Sequence, residues 1–297
     1  MMATKQKITY CLWFNKEASE VVDFYVSVFK QAKKTDVVHN PIDTPSGKTG
    51  TVLTASFNLE GQEFMVLNGG PEFTVNPSVS FMVHCETVDE VDALWEKLSG
   101  GGKVRMPLDS YPFSKRYGWI EDKYGVSWQL ILPQGKAPQK IMPSMMFVNK
   151  VYGKAEEAIG YYTSIFHQAA SGTLARYPAG MEPDREGTIM FGDFTLEGQW
   201  FAVMDSAREH DFDFSEAISF VVHCDTQDEI DYYWGKLTAG GEEVQCGWLK
   251  DKYGLSWQVA PAALPRLIQG EDTEKSKRVM QALMDMVKLD IAQLEQA

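Results

Sequence analysis

Only four cysteines are scattered through this chain, at Cys11, Cys85, Cys224 and Cys246. That is too few, and too unevenly spaced, for a disulfide framework. Cys85 and Cys224 sit inside apolar runs, where a thiol is a small core residue. With no signal peptide ahead of Ile8, a reducing cytoplasm is the expected compartment. Nowhere does an apolar run approach the roughly 18 residues of a membrane span, so no spanning helix is expected. Basic residues are also in deficit, 28 Lys and Arg against 41 Asp and Glu, for a formal charge of −13. Such a balance repels nucleic acid and anionic membrane surfaces, which excludes both as partners. Neither G-x-S-x-G nor HExxH occurs, and no phosphate-cradling glycine loop is found.

What the chain does have, it has twice. Residues 80–102, SFMVHCETVDEVDALWEKLSGGG, return at 219–241 as SFVVHCDTQDEIDYYWGKLTAGG, identical at 14 of 23 positions. WIEDKYGVSWQ at 119–129 returns at 248–258 as WLKDKYGLSWQ, and LEGQ occurs at 59–62 and 196–199. A period near 140 residues is domain-sized, too long for a solenoid unit. The offset is 137 at LEGQ and 139 at the SF-V-HC segment but 129 at DKYG, so copy two lacks ten residues opposite Arg105–Tyr117. A surface loop tolerates such a loss and a core element does not. A long loop is therefore expected in copy one.

Each copy reads as two β-α-β-β-β units. Ile8–Phe14 alternates as a strand, and Ala18, Val21, Val22, Tyr25, Val28 and Phe29 recur at helical spacing. Two strands then flank Glu60-Gly61, a hairpin signal. In the second unit Val79–Cys85 is a strand, and Thr87 with Glu90 forms a capping box opening a helix that stops at Gly100–Gly102. Asp122–Gly125 is a tight turn between the last two strands. The predicted organisation is α+β: domain one over 6–132, domain two over 142–260, and a helical appendage over 261–297. The appendage carries an apolar stripe of Met280, Leu283, Met284, Val287 and Ile291 that something must cover. Packed on its own domain it allows a monomer; exchanged between chains it makes a homodimer, and the tail's lack of a counterpart in copy one favours the homodimer.

Four such units in two pairs resemble the vicinal oxygen chelate superfamily of glyoxalases, bleomycin-resistance proteins and dioxygenases. The resemblance is closest to its PhnB-like branch, often labelled 3-demethylubiquinone-9 3-methyltransferase. The matching residues are Asn15, DFY-x-x-VF at Asp23–Phe29, LEGQ-x-F at Leu59–Phe64 and DKYG-x-SWQ at Asp122–Gln129. Copy two matches at Asn149, YY-x-x-IF at Tyr161–Phe166, LEGQWF and DKYGLSWQ. The resemblance implies half-open barrel domains. It also implies a divalent metal bound by His and Glu, at positions that fall here on Tyr10, Ser80 and Gln129. In copy two they fall near Ser144 and on Ser219 and Gln258. All six are neutral and poor replacements for imidazole and carboxylate, so no metal and no cofactor is expected.

The label's methyl transfer is also disfavoured. An S-adenosylmethionine site needs a glycine-rich turn after a strand, whereas Gly100–Gly102 follows a helix. His84-Cys85 and His223-Cys224 are neighbours on strands and point to opposite faces, so neither pair converges on an ion. A strand-end histidine in a hydrogen bond is the simpler role. Strand alternation makes Trp128 and Gln129 face opposite ways. The remaining pattern is a pocket of neutral polar groups with aromatic walls, Trp119 and Trp248 among them, suited to a small apolar ligand. Arg116, in the segment unique to copy one, would meet an anionic group on it. The expected function is metal-independent small-molecule binding in the half-barrel cavity. The alternatives are an enzyme of the same superfamily, whether metal-dependent lyase, isomerase, dioxygenase or methyltransferase, and an interaction scaffold docking through the tail.

Overall fold

The computed structural model describes residues 6–297. Four units follow in order. The first is β1 (Ile8–Phe14), α1 (Ala18–Val28), β2 (Ala32–His39), β3 (Val52–Leu59) and β4 (Gln62–Asn68). Then come β5 (Val79–His84), α2 (Val88–Ser99), β6 (Lys103–Tyr111), β7 (Ser114–Glu121) and β8 (Ser127–Ile131). Copy two supplies β9 (Ile141–Phe147), α3 (Ala155–Ile165), β10 (Ala170–Arg176), β11 (Ile189–Leu196) and β12 (Gln199–Asp205). Its second half is β13 (Ile218–Cys224), α4 (Gln227–Leu237), β14 (Glu242–Glu243), β15 (Trp248–Lys250) and β16 (Ser256–Pro261). The tail forms α5 (Leu264–Ile268), α6 (Thr273–Asp285) and α7 (Ile291–Gln296). No helix among the described residues is long and apolar enough to cross a membrane.

The compact units are not the sequence copies. One sheet runs β14-β15-β16-β13-β1-β4-β3-β2 and the other β10-β11-β12-β9-β5-β8-β7-β6. Each sheet joins one β-α-β-β-β unit from copy one to one from copy two. The first compact unit accordingly runs to Val75 and resumes at Phe214–Ala297, and the second spans Asn76–Asp213. The expected spatial domains 6–132 and 142–260 are thus exchanged halves. The reason is the free edge of each unit's first strand: β1 ladders antiparallel with β13, pairing Cys11 with Ser219, and β5 ladders with β9, pairing Ser80 with Ser144.

The repeated motifs turn out to be scaffold. In LEGQ, Glu60 and Gly61 both take positive φ (51° and 88°), as do Glu197 and Gly198. That is the backbone a two-residue hairpin needs, and glycine adopts it without strain. In DKYG-x-SW, Asp122 Oδ1 accepts from the amides of Tyr124 (2.8 Å) and Val126 (3.2 Å), while Oδ2 accepts from the Trp128 indole (2.9 Å). Asp251 binds Tyr253, Leu255 and Trp257 in the same way. One buried carboxylate thus locks a turn and a core tryptophan together. The capping boxes form as read, Thr87 accepting from Glu90 N and Thr226 from Glu229 N.

In the first unit the helix-covered face of the sheet is an aromatic row. Tyr25 stacks on Phe57 and Phe57 on Phe64; Phe64 meets Tyr10, Tyr10 meets Phe220 and Phe220 meets Trp257. Each ring removes large apolar area from water and pairs at favourable geometry. The opposite face is the concave side of the half-barrel.

One expectation is corrected. The ten extra residues of copy one are not a loop: β6 and β7 extend into a long antiparallel ribbon from Lys103–Glu121 to Tyr111–Ser114. The counterparts β14 and β15 have only two and three residues. Where the ribbon is missing, the tail fills in. Cys246 N donates to Met286 O (2.7 Å) and Gly247 N to Val287 O (2.8 Å). On the tail helix α6, Val279, Met280 and Leu283 are buried against Val38, Leu53 and Val221 of the same chain, while Val287 stays exposed.

Candidate functional site

The concave face of the first unit is built from alternate residues of its central strands. On β1 these are Cys11 and Trp13, on β4 Met65 and Leu67, on β13 Ser219 and Val221, and on β16 Gln258 and Ala260. Tyr10 points the other way, into the aromatic row, where its hydroxyl donates to Gln62 Oε1 (3.2 Å). The first-strand position is thus held by Cys11, one residue on from the expected Tyr10. The second unit shows the correct equivalence, because Ser144 on β9 faces Ser80 as Cys11 faces Ser219.

At the floor, Gln258 Nε2 donates to Ser219 Oγ (3.0 Å). Cys11 hydrogen-bonds with both, yet burial dominates and pushes its thiol up to about 12, so it stays protonated. Above the floor lies a cavity of about 410 Å³, open on one side. Its walls include Trp13, Trp248 and Phe73, and its roof is formed by α5 and α6 through Ile268, Met280, Leu283 and Met284. The Trp13 indole donates to Gly70 O (2.8 Å), and Gln269 at the end of α5 donates to Val37 O, tying the roof to β2.

The corresponding face of the second unit is filled. Gln129 Nε2 donates to Ser80 Oγ (2.8 Å), and Tyr117 closes over them, its hydroxyl donating to Gln129 Oε1 (2.7 Å). Burial raises the Tyr117 pKa, so the ring remains a neutral plug. Met82, Met142 and Ala202 pack as one apolar cluster beside it, and Met146, Val148 and Phe212 as another. Ser144 Oγ is buried without a partner. Trp119 donates to Ser127 Oγ (2.6 Å). Arg116 turns outward to Asp92 on α2 (2.7 Å) and the Leu108 carbonyl, which leaves it committed to the helix side and not to a ligand in the barrel.

The structure therefore brings the expected residues together as two sets. Ser80, Gln129 and Ser144 form one, and Ser219, Gln258 and Trp248 the other. Trp13, Phe73, Cys11 and the roof helices are additions. Trp13 and Cys11 could have been found by aligning ITYCLWF with IMPSMMF, which puts Cys11 opposite Ser144. At the 139-residue offset Phe73 falls on Phe212, which packs with Met146 as Phe73 does with Trp13. The two histidines are in hydrogen bonds: His84 Nδ1 with Gln139 O (2.9 Å), and His223 Nε2 with Thr9 Oγ1 (2.8 Å).

A profile of the 3-demethylubiquinone-9 3-methyltransferase family matches residues 6–131 and 139–260. The chain belongs to that family. It is similar to the PhnB protein from Bacillus cereus, 46% identical over 43% of this chain and 99% of that one, with a TM-score of 0.40. A point mutant of glyoxalase I from Zea mays is 11% identical and covers 86% of this chain and 92% of its own, with a TM-score of 0.51. Glyoxalase I from Zea mays without that substitution gives 10% identity over the same shares and a TM-score of 0.50. The two glyoxalase I structures show a glyoxalase I-like fold. No curated protein matches the chain.

Two groups implied by the fold and by the family's name do not fit the residues present. A divalent metal would meet Cys11, Ser219 and Gln258, or Ser144, Ser80 and Gln129. Both sets are uncharged, and their glutamines already donate to the serines beside them. Among the described residues no three His, Cys, Asp or Glu side chains converge on a point. For S-adenosylmethionine the glycines are misplaced: Gly100 caps α2, and Gly102 packs on the Glu121 backbone ahead of β6.

Proposed function

We propose that the chain is a binding protein for a small, mainly apolar molecule, held in the first unit's half-barrel beneath the C-terminal helices and without a metal. The observation that carries this reading is the 410 Å³ cavity, walled by Trp13, Phe73 and Trp248 and roofed by α5 and α6. That volume lies within the range of small-molecule sites, and its mix of aromatic walls and few polar groups is their usual composition. Gln258 and Thr54 supply neutral hydrogen-bonding groups to orient a ligand. The roof belongs to the repeat that lost the long ribbon, which fits a division of labour between an open unit and a filled one.

The test is titration with the neutral dye N-phenyl-1-naphthylamine, whose emission rises in apolar surroundings. One dye per chain should bind, and Leu283→Trp, which fills the cavity from the roof, should remove that binding while the fold is kept by circular dichroism. Equal binding by the variant sinks the proposal.

A further inference from the structure

The cavity of the first unit has a sign. Its lining includes the carboxylates Glu72 and Glu216, but among the described residues no lysine, arginine or histidine lines it. Glu216 is taken by Lys250 at 2.7 Å. Glu72 lies at the rim over Gly70, since a Cβ built on that glycine would fall 2.3 Å from Glu72 Oε2. The same Gly70 carbonyl fixes the Trp13 indole. The carboxylate and the tryptophan are therefore held on one stretch of backbone.

Around Trp13 the rings meet nearly at right angles. Phe73 stands edge to face with it at 5.0 Å and 79°, and Trp248 at 5.8 Å and 78°. All three rings line the cavity, and an aromatic ring within about 6 Å of an alkylated ammonium group attracts it through the ring's electron-rich face. A nearby carboxylate adds a full opposite charge, and the chain's −13 adds a favourable long-range field. Among the described residues an anionic ligand would meet no lining cation and would face the carboxylate of Glu72.

We infer that the cavity selects a hydrophobic cation: an alkylated ammonium group seated among Trp13, Phe73, Trp248 and Glu72, with its apolar body running under α6. This rests on reading the cavity as the binding site and adds the charge of what enters it. Met65, Met280 and Met284 along the body's path are unbranched and adaptable, which suits a ligand chain of variable shape.

A matched series tests this on the full-length protein by displacement of N-phenyl-1-naphthylamine. The members are (3-phenylpropyl)trimethylammonium, its carbon isostere (4,4-dimethylpentyl)benzene, and the anion 4-phenylbutyrate. The cation should bind at least about tenfold more tightly than the isostere, a factor within the range of a desolvated cation over aromatic faces, and the anion least of all. Glu72→Gln and Trp248→Leu should each shrink the cation-to-isostere ratio several-fold. An isostere that binds as tightly as the cation overturns the inference and leaves the cavity reading intact. Failure of all three to displace a dye that Leu283→Trp abolishes also overturns it. A dye unaffected by Leu283→Trp strikes the cavity reading itself.

Discussion

Trp13 and Trp248 stand edge to face, 5.8 Å between ring centres, although they come from the first strand of copy one and the penultimate strand of copy two. The pair exists because β1 ladders with β13 and β13 with β16, which pairs with β15. In the second unit the corresponding positions hold Met146 and Trp119, and Trp119 donates instead to Ser127. Ser256, the counterpart of Ser127, has its hydroxyl buried and unpartnered. The same scaffold thus closes one half-barrel on itself and leaves a cavity in the other.

The roof should matter to stability as well as to binding. Met280→Ala removes a buried side chain of α6 and should cost about 2 kcal/mol, the low end for such truncations because the cavity is already beside it. Urea denaturation measures this. A change within about 0.5 kcal/mol, the usual range for surface substitutions, would show that α6 does not pack as described.

The DKYG-x-SW motif should behave as structure in both copies. Asp122→Ala and Asp251→Ala each leave two amides and an indole N–H without their acceptor. Each should destabilise by about 3 kcal/mol, several buried donors being orphaned at once. If either lowered ligand affinity with no loss of stability, the motif would belong to the site.

The fold was legible from the sequence because the duplication doubled every signal: two capping boxes, two LEGQ hairpins and two DKYG turns fixed strands and helices. Which halves pair was not legible, since units this similar are compatible with pairing either way and local patterns carry no information on the choice. Alternation required Trp128 and Gln129 to face opposite ways without saying which faces the barrel; in the structure Gln129 bonds to Ser80 and Trp128 to Asp122. Tyr10 was misplaced because a one-residue shift on a strand flips every side chain, and only the comparison with Ser144 reveals it. The stretch Arg105–Tyr117 read as a loop because copy two lacks ten residues there, yet the outer part of a bulged two-stranded ribbon can be lost as readily.

The four thiols should react unequally. Burial pushes Cys11 and Cys224 up to about 12, and Cys85 is buried too. Cys246 is only partly buried and lines the cavity. Although burial also raises its pKa, iodoacetamide at pH 8 should label Cys246 first, and bound N-phenyl-1-naphthylamine should slow it. Mass spectrometry showing Cys11 labelled as fast would mean the floor of the half-barrel is open.

His84 should make stability depend on pH. Burial lowers its pKa below 6.5, outweighing its bond to Gln139 O. A base whose folded pKa is depressed binds protons more readily when unfolded. Its contribution is therefore present above about 6.5 and lost as pH falls below that value through the folded pKa. His84→Gln should flatten the slope of unfolding free energy between pH 7 and 5. An unchanged slope would assign the dependence to other groups.

The central claim, that one half-barrel is a ligand site and the other is a filled scaffold, is tested most directly by an anomalous difference map from crystals soaked in 1-bromonaphthalene. A single bromine peak between Trp13, Trp248 and α6 is predicted, with none beside Ser80 and Gln129. A peak beside Ser80 and Gln129, or a first-unit cavity without bromine at saturating ligand, would contradict it.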